Sequence, residues 1–301
     1  MADTREFRFS AQEGGPSLYG RAWRPENGQV IGLVQLVHGL NDRVDRYDGF
    51  ARRLADRGFL VFGEDHLGQG KSARRARQLG YTAPSGGWQL MAEAVYSLGS
   101  RARERYPGKK WFVVGHSMGS LLARTCLIDH PDAFDGCVFT GTNSPPVSAL
   151  EALLARCREE EARVGPAGRS RELASLIFTD VLHFDPAADA MTEDGKLDLL
   201  CSFVPTVRLF EDFFEGLLYL HKGEAEGYTH PPVPLLLLSG AEDPTNGQGR
   251  GMLKTAEQFT GLGSPQVETR LVEGLRHELL NAPGGEPVQE LVEEWLIKIS
   301  N

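Results

Sequence analysis

A chain of 301 residues, 41% of them hydrophobic, is long enough for one large core carrying an insertion. Its formal net charge of −9, with Lys and Arg scattered rather than gathered into a stripe, repels phosphate backbones and excludes a nucleic-acid role. No run approaches the roughly 18 apolar residues of a membrane span, and residues 1–10 have no apolar h-region, so a soluble, cytoplasmic chain is expected.

Residues 6–10 and 18–23, either side of "AQEGGPS", pattern as an antiparallel hairpin on a sheet edge. Short β-branched and aromatic runs then alternate with helical spacing: strand 31–37, helix 47–57, strand 59–63, helix 88–104 and strand 112–114. Such alternation predicts a mostly parallel sheet with helices on both faces. In the loop after strand 31–37, "VHGLNDRVDRY" turns at His38-Gly39 and is expected to leave the Leu40 amide pointing outward.

Across "FVVGHSMGSLLA" the period changes from strand to helix within Gly115-His116-Ser117-Met118-Gly119. G-x-S-x-G at that junction is a nucleophile elbow: the tight turn strains Ser117, and small flanking residues let neighbouring segments pass close by. The hydroxyl is lifted from the sheet edge, and the Met118 amide at the following helix start is aimed at whatever it attacks. Leu40 and Met118 are therefore the expected oxyanion donors, each worth about 3 kcal/mol of transition-state stabilisation.

Strand 137–140 continues the series, and then helical patterns replace strands from about 144 to 227. Ala149, Leu150, Leu153, Leu154 and Cys157 form one apolar stripe, and Leu209, Phe210, Phe213, Phe214, Leu217 and Leu218 another. This reads as a helical cap inserted into a core of residues 1–143 and 228–301. An insertion leaving the sheet there is expected to cover the C-terminal strand ends, with Phe203, Phe210, Phe214 and Leu217 as candidate walls of an acyl pocket. Its exposed Leu or Phe could rest on a membrane or micelle. Asn143, just past a strand end, is a candidate contact to the alcohol part of a substrate, or a turn-stabilising asparagine. "HPPVP" at 230–234 then returns the chain to the sheet in extended form.

A serine hydroxyl is a poor nucleophile near neutrality and needs a base and an orienting acid, which in this fold follow it in chain order at later strand ends. "LLLLSGAEDPTNG" ends a strand at Ser239 and places Asp243 beyond it; "VETRLVEGLRHELLN" ends the next near Val272 and places His277 beyond that. Among the eight histidines only His277 follows an acid-bearing strand end. Glu242 is the rival acid one residue away and Asp65 a remoter one; the proline after Asp243 suits a turn presenting that side chain. Helix 287–299 closes the chain. Four cysteines (Cys126, Cys137, Cys157, Cys201) share no metal-ligand spacing and read as reduced packing thiols.

Together the HG loop, "DHLGQGKS", "GHSMGS", "GAEDP" and "RHELLN" resemble the α/β-hydrolase group of monoacylglycerol lipases, lysophospholipase-like enzymes and serine aminopeptidase-fold proteins. The resemblance covers nearly all of the chain outside the insertion. It implies an eight-stranded α/β-hydrolase cleaving small carboxylic esters; with the apolar insertion as pocket, a monoacylglycerol- or lysophospholipid-type ester with a medium or long acyl chain is expected. Ser117, Asp243 and His277 would be the triad, with no metal or organic cofactor. Many members carry H-G-x-G-E-H-x-x-R-Y in the first loop; here Asn41 replaces a glycine and Arg43 a histidine, while Asp42 and Arg46 keep an acid and an arginine four apart. Three alternatives remain open at this point: a non-lipid carboxylesterase, an N-terminal peptidase with Glu159, Glu160 or Glu161 as amine anchor, and a non-catalytic binding module.

Overall fold

The computed structural model describes residues 2–182, 197–227 and 233–300. Eight strands, β1 (Asp3–Phe9), β2 (Leu18–Arg24), β3 (Gly32–Val37), β4 (Phe59–Glu64), β5 (Trp111–His116), β6 (Gly136–Thr140), β7 (Leu235–Gly240) and β8 (Val267–Val272), make one sheet. Their order is β1-β2-β4-β3-β5-β6-β7-β8. β2 runs antiparallel to both neighbours, closing the expected hairpin with β1, and all pairings from β4 to β8 are parallel. The fold is an α/β-hydrolase with each strand of the sequence pattern in place.

Helices on both faces explain why the central strands read as continuous apolar runs. Eight helices are described: α1 (Asp48–Asp56), α2 (Gly87–Arg105), α3 (Met118–Asp129), α4 (Val147–Val164), α5 (Arg171–Ser175), α6 (Val207–Glu226), α7 (Arg250–Gly261) and α8 (Glu286–Ser300). Alternate residues of each strand feed separate cores: Val34 and Leu36 of β3 meet Phe50 and Leu54 of α1 and Trp295 and Leu296 of α8. Leu33 and Val37 turn the other way, into a core shared by Met91 of α2, Leu122 of α3 and Phe259 of α7.

Between β6 and β7 lie α4, α5, a π-turn at Leu176–Val181, and α6. The predicted stripe on α4 is buried at Leu150, Leu154 and Cys157, and α6 packs closely against α4. Thr206 caps α6 by accepting a hydrogen bond from the Leu209 amide at 3.3 Å. The return expected over 230–234 lies mostly outside the described residues. Helix α7 has no counterpart in the sequence pattern, because it is entered through Gly247 and Gly249, both with positive φ, and reads as a glycine-rich loop. All four cysteines are buried and free.

Candidate active site

The parallel register brings five chain segments to one edge. Val37 pairs with Gly115, His116 with Thr140, Thr140 with Leu238, and Gly240 with Val272, so the segments after β3, β5, β6, β7 and β8 leave the sheet at its C-terminal edge. Ser117 stands at the junction of β5 and α3 with φ 50° and ψ −120°, a region that costs a non-glycine residue roughly 1–3 kcal/mol. Its neighbours explain why the turn holds. A Cβ on Gly115 would lie 2.9 Å from the Gly119 carbonyl and Ser120, and one on Gly119 would collide with the carbonyls of Val37 and His38. The Ser117 amide donates to the Thr140 carbonyl at 2.8 Å, which fixes the turn to the neighbouring strand.

His277 Nε2 is 2.8 Å from Ser117 Oγ, and His277 Nδ1 is 2.9 Å from Asp243 Oδ2. Thr245 also enters: its hydroxyl donates to Asp243 Oδ1 at 2.7 Å and lies 2.8 Å from His277 Nδ1. With acceptors on the Nδ1 side, the proton belongs on Nδ1 and the Nε2 lone pair faces the serine. Burial by itself pushes the Asp243 carboxyl up. The hydrogen bond and charge of His277, with two hydrogen bonds from Thr245, outweigh it and hold Asp243 below the usual carboxylate range. Gly141 passes beneath the imidazole, where a Cβ would sit 2.8 Å from Cε1. The rival acids are elsewhere: Asp65 is spent on the amides of Val44 and Lys71, and the histidine contacts Asp243 rather than Glu242.

Leu40 and Met118 flank the serine in the same cavity. Neither amide meets an acceptor among the described residues, which suits donors reserved for an oxyanion. The turn before Leu40 is held by two histidines in contact, with His38 Nε2 accepting from the His66 amide at 3.0 Å and ring centres 4.0 Å apart at a tilt of 37°. Burial, reinforced by His66, pushes His38 down to about 3, so its ring stays neutral and can accept from the His66 amide. Gly39 lets this loop approach, since a Cβ there would lie 3.3 Å from the Cβ of Ser117.

Two cavities meet at Ser117. One, of about 120 Å³, is apolar: Leu121, Leu150, Leu153, Phe178, Phe213, Phe214 and Leu217 line it beside Leu40 and Met118. Phe214 and Leu217 thus occupy the wall assigned to them. Phe203 and Phe210 do not line this cavity: Phe210 stands behind, edge-on to Phe178 at 5.5 Å, and the Phe203 ring lies against Gly80. Asn143 does line it, yet its amide group is engaged by the Thr245 carbonyl at 2.6 Å and the Ser144 amide at 2.7 Å, so it splices the β6 exit to the acid loop. The second cavity, about 20 Å³, is polar and walled by Asn41, Asp42, Arg46, His116 and Glu278. Asp42 and Arg46 pair at 3.1 Å there, with the Tyr47 hydroxyl donating to Asp42 at 2.8 Å. Among the described residues no three His, Cys, Asp or Glu side chains gather as a metal-ligand group.

Thr245, Phe178 and Phe213 are the site residues that pattern reading passed over. For Thr245 a signal existed: in D-P-T the Thr245 amide returns to Asp243 Oδ1 at 2.9 Å, the local turn that Asp favours.

A strained serine at one strand end, facing an imidazole and carboxylate from two later ones on a mostly parallel sheet, defines the class: an α/β-hydrolase. The chain belongs to the serine aminopeptidase, S33 family, whose model matches residues 28–284. It is 25% identical over 303 residues to a monoacylglycerol lipase of Mycolicibacterium smegmatis, covering 99% of both chains. To the human monoglyceride lipase it is 31% identical over 179 residues, 57% of each, so the match spans little more than half of that relative. A thermostable carboxyl esterase from Bacillus coagulans, solved with glycerol, shares the fold with a TM-score of 0.82 at 24% identity over the whole of both chains. A soluble variant of the Saccharomyces cerevisiae monoglyceride lipase, solved with a substrate analogue, gives 0.71 at 19% identity, covering 100% of this chain and 96% of that one.

Proposed function

We propose that this chain hydrolyses monoacylglycerol-type lipid esters through an acyl-enzyme formed on Ser117. It is a serine ester hydrolase. Ser117 Oγ attacks the ester carbonyl while His277 takes its proton, Asp243 steadies the imidazolium, and the amides of Leu40 and Met118 receive the oxyanion. His277 then returns the proton to the leaving alcohol and activates water against the acyl-enzyme. The observation that carries this reading is the unbroken line Ser117 Oγ to His277 Nε2 to Asp243, at 2.8 and 2.9 Å.

The two cavities suggest which end of the substrate goes where. Residues 144–227 act as a cap whose leucines and phenylalanines take a medium or long acyl chain, and the polar cavity receives the alcohol. Names of the relatives, lipases of monoacylglycerol, support that choice. Leu197 and Leu199 of the cap, the latter 73% exposed, support a peripheral contact of a cytoplasmic enzyme with lipid. No helix among the described residues is long and apolar enough to cross a membrane. A peptidase would need a free acid for the substrate amine. Glu159, Glu160 and Glu161 instead pair with Arg156, Arg163 and Arg208.

Turnover on nitrophenyl esters from acetate to palmitate, alongside monoacylglycerols and lysophospholipids, tests the reading with Ser117→Ala as the blank. The expected profile peaks at a medium or long chain with monoacylglycerols among the best substrates. A monotonic fall above butyrate contradicts it.

A further inference from the structure

The polar cavity beside Ser117, at about 20 Å³, has room for about one water, which needs roughly 10–15 Å³ of such space. A leaving alcohol the size of glycerol or larger therefore needs its walls to yield. What holds them is specific. Asn41 Nδ2 donates to the Phe203 carbonyl at 2.6 Å, and Arg43 Nε donates to Asp198 Oδ2 at 2.6 Å. Both bonds join the loop bearing the oxyanion amide to one turn of the insertion, more than 150 residues away in sequence. They are made by two of the three side chains at which this loop departs from the pattern it resembles, Asp42 for glutamate being the third.

Each end of the connection is anchored. The Asn41 amide donates to Gln69 Oε1 at 2.8 Å, and Arg43 Nη1 to Asp45 Oδ2 at 2.9 Å. On the far side, Asp198 Oδ1 accepts from the Leu200 amide at 3.0 Å and its carbonyl from Cys201 at 2.9 Å. Asn41 sits at φ 57°, where glycine is free of strain and asparagine is among the few side chains tolerated. Its amide group is thus the addition that glycine could not supply.

We propose that Asn41 and Arg43, by tying the loop that walls the polar cavity to the turn containing Asp198 and Phe203, set the upper size of the leaving alcohol. The proposal rests on the reading of Ser117 as the nucleophile of an esterase. Asn41 and Arg43 are specificity-determining residues that act through the cap turn rather than on the reacting atoms.

The test holds the acyl group constant and varies the alcohol: methyl octanoate, 1-octanoylglycerol and 1-octanoyl-glycerophosphocholine, with wild type, Asn41→Gly, Asp198→Asn and the double variant. Loosening the strap raises kcat/KM for the phosphocholine ester relative to the methyl ester by about tenfold in the double variant, while Asp198→Asn alone changes the methyl ester by less than about threefold. A merely structural role lowers all three substrates together. Asp198→Asn leaves the oxyanion loop's own sequence intact and keeps the Leu200 acceptor, so it reads the same ratio if the double variant fails to fold. A ratio within about twofold of wild type in the folded variants overturns the proposal. Wild type that splits none of the three esters overturns the ester reading and, with it, this one.

Discussion

At the residue, the site depends on contacts made from both sides of each reacting atom. Ser117 is held in an unfavourable backbone region by two glycines that cannot be replaced without collision, and His277 is oriented by two acceptors, not one. The second, Thr245, has a single hydroxyl proton, committed to Asp243, and a lone pair toward Nδ1. Removing it in Thr245→Val leaves both partners one hydrogen bond short, about 1.5 kcal/mol where a charged group is involved. We expect kcat to fall roughly tenfold with KM unchanged, and Thr245→Ser to restore it. Steady-state kinetics of the three proteins check this; an equal loss in the serine variant contradicts it. Ser117, Asp243 and His277 were legible because strand ends and chain order constrain them. For Thr245 only the turn with Asp243 was legible; its contact with His277 depends on where a loop closes in space.

At the level of elements, the insertion is tied to α3, the helix that follows Ser117, by charge as well as by apolar packing. Arg124 of α3 and Glu224 of α6 pair at 2.6 Å with both side chains buried, and the same guanidinium donates to Thr142 Oγ1 at 3.1 Å and the Asn143 carbonyl at 2.8 Å. Removing one partner of such a pair strands a buried charge, whereas replacing both with apolar groups of similar size is close to neutral. Glu224→Ala should therefore cost about 3–5 kcal/mol in urea unfolding, and Arg124→Met/Glu224→Leu should recover most of it. A double variant as unstable as the single one contradicts this account. Neither residue stood out in the sequence, since a charge on a helix is ordinarily solvated. The apolar stripe on α6 was visible and its direction only in part: Phe214 and Leu217 line the cavity with Phe213, while Phe210, grouped with them in the sequence, turns to Phe178.

Across the whole molecule, the sheet does the assembling. Residues 117, 243 and 277 come from the ends of β5, β7 and β8, which the parallel register brings to one edge with β6 between the first two, and the insertion shares the core on the face that also holds α3. Alternating periods made this arrangement readable from the order of the residues, with the exception of α7, whose glycine-rich entry hides a helix. The fit between oxyanion loop and cap turn was beyond reach, because it joins segments with no shared pattern. The account turns on Ser117 being a nucleophile that His277 activates. A fluorophosphonate probe followed by intact-mass and peptide mapping measures that directly. One adduct is predicted, located at Ser117, absent in Ser117→Ala and strongly slowed in His277→Ala; an unmodified wild-type chain, or an adduct that persists in Ser117→Ala, contradicts it.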